Sequence, residues 1–261
     1  MIRILCSAVV LTFLPFLLFA NEDNIAHISL ITGTTDVSEP FYIGIYFDME
    51  ENWYIYWENP GDAGIPVDVR WDVPEGYTVG ELLYPTPERF DTQGLISFGY
   101  KNEALLLARV SPVSSAAREE APVITADVSW MVCKESCILE DGTAALNLND
   151  HKAEPELIEK YKERLPRSID HSPVRISSVE TQREDGRIRV TIRLAGEPVD
   201  DFFPGPVQDV ILSHKDIIID DNVISYTLQP YSATAKVERV TGLLFVNGAA
   251  YRFDEPVSTI N

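Results

Sequence analysis

Phe41-Tyr42-Ile43-Gly44-Ile45-Tyr46-Phe47 and, shortly after, Trp53-Tyr54-Ile55-Tyr56-Trp57 are runs of aromatic and β-branched residues, the types that fill a pleated, half-buried surface. Asn59-Pro60-Gly61-Asp62-Ala63-Gly64 follows, before Pro66, and reads as a loop because each residue type favours turn geometry. Outward from this stretch the pattern repeats. Strand-like runs occur at residues 67–71, 78–84, 104–110, 123–132 and 143–148, parted by Gly, Pro, Asn and Asp. Short strands with frequent turn signals predict an all-β chain built of sandwiches or barrels, not a wound α/β sheet.

One segment breaks the pattern. Leu157, Ile158, Tyr161 and Leu165 recur at helical spacing between Pro155 and Pro166, which predicts a short helix acting as a connector. Its Glu and Lys residues read as a solvated face. Beyond residue 174 the strands resume. Ile188-Arg189-Val190-Thr191-Ile192-Arg193-Leu194 alternates strictly, and Leu243-Leu244-Phe245-Val246 runs into Asn247-Gly248, a hairpin turn. At roughly 90 residues this second region is large enough to bury its own core. The expected organisation is a leader over residues 1–20, a β-sandwich over 21–150, a helical linker over 151–169 and a second β-sandwich over 170–261.

The leader is read from Arg3, the apolar run over residues 4–19 and the close on Leu18-Phe19-Ala20, the layout of a cleavable export signal. The run is short for a bilayer span of about 20 residues and is followed by Asn21-Glu22-Asp23-Asn24, so cleavage after Ala20 is expected rather than anchoring. Cys6 would leave with it, so two cysteines, Cys133 and Cys137, remain. The formal net charge is −20, and loss of Arg3 makes it one unit more negative. Nucleic acid is not an expected partner, since phosphate binding needs clustered Lys and Arg, and anionic lipid would repel such a surface. Charge of this size keeps an exported protein soluble.

Trp130-Met131-Val132-Cys133-Lys134-Glu135-Ser136-Cys137-Ile138-Leu139 is the stretch with the most chemistry in it. On one extended strand, residues four apart lie roughly 13 Å from each other, beyond the Cα window of a disulfide at about 4.4–6.8 Å. The chain must therefore turn at Lys134-Glu135-Ser136, and neighbouring strands would then set the cysteines face to face at about 4.5–5.5 Å. Three uses of such a pair stand open. A structural staple closing so short a loop is worth only about 2 kcal/mol. A metal site needs more ligands, and His27, His151, His171 and His214 are scattered along the chain. Reversible thiol chemistry is the reading favoured for a chain large enough not to depend on a staple. Lys134 favours the thiolate, whereas Glu135, Glu140 and Asp141 oppose it. Ser/His/Asp triads, HExxH and phosphate-cradling glycine loops are absent from the sequence.

An ordered set of motifs adds to these readings. Trp53-Tyr54-Ile55-Tyr56-Trp57 leads into Asn59-Pro60-Gly61-Asp62-Ala63-Gly64-Ile65-Pro66. Then come Tyr84-Pro85-Thr86-Pro87-Glu88-Arg89-Phe90, Phe98-Gly99-Tyr100-Lys101-Asn102-Glu103 and Val132-Cys133-Lys134-Glu135-Ser136-Cys137. Together they resemble the N-terminal periplasmic domain of the DsbD/ScsB protein-disulfide reductases, the disulfide-bond corrector domain. The resemblance implies immunoglobulin-like sandwiches and a thiol:disulfide oxidoreductase needing no cofactor. Its cysteine pair would take electrons from a membrane protein of the DsbD/CcdA type, through a thioredoxin-like domain, and pass them to periplasmic thioredoxin-fold proteins. Those acceptors would serve disulfide isomerisation, cytochrome c maturation or copper tolerance. By position, Cys133 and Cys137 match the redox pair and Tyr54 and Tyr56 match aromatics lining it. Phe98 and Tyr100, in the loop Phe98-Gly99-Tyr100, fall where the family carries a shielding cap. The family also implies that Cys137 forms the mixed disulfide and Cys133 resolves it. The rival expectation is a non-catalytic exported binding module with a structural disulfide.

Overall fold

The computed structural model describes residues 24–92, 94–113 and 122–259, so the leader expected over residues 1–20 lies outside the described residues. Its first half is built from β1 (Ala26–Thr32), β2 (Phe41–Met49), β3 (Tyr54–Gly61), β4 (Asp68–Asp72) and β5 (Tyr77–Leu83). It continues with β6 (Glu88–Thr92), β7 (Leu95–Lys101), β8 (Glu103–Pro112), β9 (Val123–Cys133) and β10 (Cys137–Asn147). Two antiparallel sheets result, in the orders β1-β2-β8-β5 and β10-β9-β3-β7-β6, with β3 and β4 sharing one edge of β9. Period-2 patterning decides which side chains fill the space between them. In β9, Ile124, Ala126, Val128, Trp130 and Val132 point inward, and in β2, Phe41, Ile43, Ile45 and Phe47 meet them from the other sheet. Trp130 packs edge-on against Phe47 at 5.5 Å between ring centroids. Its indole N–H donates to Glu140 (3.0 Å), which also accepts from the backbone of Ile25 (2.7 Å) and so ties β1 to the β9–β10 hairpin.

The helix α1 (Pro155–Lys162) forms where the spacing predicts, with Pro155 in its first turn. It lies on the first sandwich. Ala104, Leu106, Ala108 and Val110 of β8 face the core, while Leu105 and Leu107 face the other way and are buried by Ile158 and Tyr161. That second contact explains why β8 reads as an unbroken apolar run rather than an alternating one.

The second half contains β11 (Arg167–Ser168), β12 (Val174–Glu184), β13 (Arg187–Gly196), β14 (Asp201–Pro204) and β15 (Val210–Leu212). It ends with β16 (Ile218–Asp220), β17 (Val223–Pro230), β18 (Arg239–Val246), β19 (Ala249–Pro256) and β20 (Ser258–Thr259). Its sheets run β11-β19-β18-β14 and β15-β17-β13-β12-β20, with β15 and β16 sharing one edge of β17. The β18–β19 turn is Asn247-Gly248, both at positive φ (52° and 76°), the primed turn whose twist matches paired strands. The chain is therefore all-β, two immunoglobulin-like sandwiches joined by a short helix. The second has its own core, but Phe203 of β14 and Leu243 of β18 belong to the core of the first.

One expectation is corrected here. Phe98-Gly99-Tyr100 is not a loop but the middle of β7, paired with β6 on one side and β3 on the other. Leu95-Ile96-Ser97-Phe98-Gly99-Tyr100 places Ile96, Phe98 and Tyr100 on one face, and burial of Phe98 and Tyr100, with Ile96 half-buried beside them, holds the segment extended.

Candidate functional site

β9 and β10 pair continuously from Val123 opposite Asn147 to Cys133 opposite Cys137. The cysteines thus flank the turn of a hairpin, joined as a disulfide with Cα atoms 4.2 Å apart. The turn between them is held by one backbone bond, Lys134 N–H to Ser136 C=O at 3.1 Å. The two sulfur-bearing residues differ in access. Cys133 is 1% exposed, whereas Cys137 and the residues that flank it, Ser136, Ile138 and Leu139, are exposed.

Register places the aromatics. Tyr54 of β3 stands directly opposite Cys133, and directly opposed residues of antiparallel strands share a face. Tyr56, two residues on, keeps to that face and donates its hydroxyl to Cys133 Sγ at 3.0 Å, with Cys137 Sγ 3.7 Å away. The Tyr56 ring meets Tyr54 edge-on at 5.4 Å, and Tyr54 lies against Phe90 of β6 at 4.8 Å. The loop after β3 covers Tyr56 from outside. Gly64 has φ +115°, and a Cβ there would overlap the tyrosine ring, so only glycine lets the chain lie on it. Burial, with Tyr54 beside it adding to the effect, pushes the Tyr56 phenol well above its ordinary value. It stays protonated and remains a donor to sulfur throughout the physiological range.

Of the residues singled out from sequence, the structure brings together Cys133, Cys137, Tyr54 and Tyr56. It does not bring Phe98 or Tyr100 to them, and the cap expected of these two is corrected. Tyr100 pairs with Ile55, which in turn pairs with Val132, so Tyr100 and Phe98 lie on the core face of the sheet, opposite the disulfide. Phe98 is fully buried against Trp57 and Phe203, and the Tyr100 hydroxyl donates to Pro85 C=O at 2.7 Å. The aromatic on the disulfide side of the same hairpin is Phe90. It stood inside a quoted motif, Tyr84-Pro85-Thr86-Pro87-Glu88-Arg89-Phe90, without a role. The signal that would have found it is parity, since Phe90 opposes Ser97 and so points away from Phe98.

Two of the charged neighbours weighed for thiolate stability are engaged elsewhere. Lys134 Nζ donates to Glu51 C=O at 3.1 Å, and Glu140 is occupied by Trp130 and the start of β1. Among the described residues no three His, Cys, Asp or Glu side chains converge as a metal site, and no helix is long and apolar enough to cross a membrane.

Comparison with known proteins bears on this geometry. Residues 30–149 match the family described as thiol:disulfide interchange protein DsbD, N-terminal. No curated protein sequence matches the chain. Among solved structures, the N-terminal periplasmic domain of ScsB from Proteus mirabilis superposes with a TM-score of 0.67 at 16% identity, covering 91% of this chain and 95% of that one. That likeness is one of fold, and it spans both sandwiches. The collagen-binding subdomain ACE19 of the Enterococcus faecalis surface protein ACE overlaps loosely, with a TM-score of 0.23 at 8% identity over 46% of this chain and 95% of that one. The periplasmic chaperone SfaE gives 0.21 at 11% identity over 89% and 99%. The segment that matches the family model contains the whole of the β3, β6, β7 and β9–β10 arrangement around the cysteine pair, so residues 30–149 form a domain of the DsbD N-terminal type, with the Cys133–Cys137 disulfide inside it.

Proposed function

We infer that Cys133 and Cys137 exchange disulfides with thioredoxin-fold proteins in the periplasm, after export directed by the leader at residues 1–20. The carrying observation is the asymmetry of the pair: an exposed Cys137 beside a buried Cys133 whose sulfur accepts a bond from Tyr56. A partner thiolate attacks Cys137 Sγ, the Cys133–Cys137 bond breaks, and its electron pair leaves on Cys133 as a thiolate. The Tyr56 O–H, already 3.0 Å away, stabilises that charge as it forms. The partner's second thiolate then attacks its own bonded sulfur and expels Cys137, so the partner departs oxidised and this chain holds two electrons as a dithiol. The reverse sequence, with Cys137 attacking an acceptor disulfide and Cys133 resolving, delivers them onward.

The donor in this scheme is the thioredoxin-like domain of a membrane protein of the DsbD/CcdA type. The acceptors are periplasmic thioredoxin-fold proteins serving disulfide isomerisation, cytochrome c maturation or copper tolerance. Phe90, lying against Tyr54 on the disulfide side of the β6–β7 hairpin, supports a shielding role for that hairpin.

A pair of variants tests the reading. Cys133→Ala leaves Cys137 free to trap a covalent complex with a thioredoxin-fold partner, and Cys137→Ala traps none. The reverse pattern exchanges the two roles. No complex from either variant, together with a reduction potential below about −300 mV, identifies a structural staple.

A further inference from the structure

β6 is held from both sides. Phe90 faces Tyr54, and its neighbour Arg89 faces the second sandwich, where it pairs with Asp201 at 2.7 Å and lies over the Phe203 ring at 4.9 Å. β7 is held in the same way, since Phe98 packs against Phe203 at 4.3 Å and against His214 at 5.2 Å between ring centroids. The third contact is Asp62, in the loop that lies on Tyr56. One carboxylate oxygen accepts from His214 N–H (3.0 Å) and faces His214 Nδ1 (3.1 Å), while the other accepts from Ile96 N–H in β7 (2.8 Å). The Asp62 N–H donates to Ile96 C=O at 2.7 Å. One side chain thus joins the covering loop, the hairpin and the second sandwich.

We propose that the second sandwich is a positioning element for the disulfide, gripping the β6–β7 hairpin through Arg89, Phe98 and Asp62 so that Phe90 stays seated against Tyr54. It rests on the reading that this disulfide exchanges. Asp201, Phe203 and His214 are positioning residues in it, since they act through the hairpin and lie on the opposite side of it from Tyr54. The physical basis is that β6 is the edge strand of its sheet, paired with β7 alone, so the seating of Phe90 depends on what packs against that edge. With one face of the hairpin gripped by the second sandwich, displacing Phe90 means breaking buried contacts between the halves, so lifting the cover is coupled to loosening the interface.

The test uses the full-length chain and dithiothreitol as a small thiol, whose rate of attack on the disulfide reports how firmly Phe90 and Tyr54 are held beside Cys133. Phe203→Ala and Asp201→Asn are expected to speed reduction about three- to tenfold at an unchanged reduction potential, because access changes and sulfur chemistry does not. Arg189→Ala, which removes only the exposed pair with Glu184 inside the second sandwich, is expected to leave the rate as it was. Phe90→Ala is expected to speed reduction equally, and Phe90→Ala combined with Phe203→Ala to add nothing further. That non-additivity is what a general loss of stability would not produce. Asp201→Asn keeps shape and removes only a partly exposed charge, so it reads the effect even if Phe203→Ala fails to fold. Folded variants that react at the wild-type rate, or effects of Phe90→Ala and Phe203→Ala that multiply, overturn the proposal. A wild-type disulfide that resists both dithiothreitol and thioredoxin-fold partners instead overturns the exchange reading on which it rests.

Discussion

The two sandwiches each contain a long antiparallel hairpin, and the two hairpins are closed differently. β18–β19 turns on Asn247-Gly248, with both residues at positive φ, so the backbone itself makes the closure. β9–β10 turns on Lys134-Glu135-Ser136, none of which adopts positive φ, and the closure there is a covalent bond between Cys133 and Cys137. A chain that needed only a firm turn had the first solution at hand in its own second half. Placing a breakable bond at the exposed end of a hairpin, beside a phenol donor, trades local rigidity for chemistry.

The comparison is broken most decisively at Cys137. Cys137→Ala is expected to reduce thiol transfer to a thioredoxin-fold substrate to background, while Gly248→Val leaves the transfer rate intact, as followed by mass shift of trapped thiols. Retained transfer in Cys137→Ala would make the two turns equivalent. Next in size is Tyr56→Phe, which removes the hydroxyl donated to Cys133 Sγ. A hydrogen bond to a charged group is worth about 1.5–3 kcal/mol, so the Cys133 thiol of the reduced form should rise by about one to two pH units in ultraviolet thiolate titrations. Exchange should slow about tenfold.

Stability sharpens the contrast on a smaller scale. Replacing both cysteines by Ala is expected to cost about 2 kcal/mol in denaturant unfolding, since the loop closed is short. Gly248→Val is expected to cost about 1–2 kcal/mol for forcing a β-branched residue into left-handed geometry. A loss well above that range for the cysteines would restore the staple reading. Smallest is a pH effect at the contact between the halves. Burial pulls His214 below its ordinary value. Burial would raise Asp62, but the N–H groups of His214 and Ile96 outweigh it and hold the carboxylate low. The neutral His214 ring therefore donates through Nδ1 to Asp62, and Nε2 is left buried with no hydrogen-bond partner. The stabilisation from a neutral ring is fully present above about pH 6.5 and is lost as pH falls below it toward the lowered folded value. The gap in melting temperature between wild type and His214→Asn should accordingly be widest near neutrality and narrow by about pH 5.

Much of this was legible in the residues. Alternation in Ile188 to Leu194 gave β13, the proline-bounded spacing gave α1, and the geometry of four-residue cysteine separation forced the turn at residues 134–136. The β6–β7 hairpin was not legible in the residues of β6. Glu88-Arg89-Phe90-Asp91-Thr92 is a mostly exposed edge strand whose one aromatic stands among charges, so it shows no apolar alternation, although Arg89 serves the second sandwich and Phe90 serves Tyr54. The assignment of Phe98 and Tyr100 failed by parity alone. A run in which every second residue is apolar has a buried face, but nothing in it says which side carries the cysteines. Pairs such as Arg89 with Asp201 or Asp62 with His214 are long-range contacts that no local pattern announces.

The helix α1, laid over Leu105 and Leu107, has a consequence for where the first sandwich ends as a physical object. The turn that follows it is also tied to the segment leading into β6, with Arg164 C=O accepting from both the backbone and the hydroxyl of Thr86. A fragment cut at residue 150 would keep every strand of that sandwich and both cysteines, yet leave two leucines in the middle of a sheet facing water. During synthesis the same patch is bare until residues 155–165 emerge, and a holdase chaperone would find it there. For anyone expressing the redox half alone, the place to stop is past Leu165.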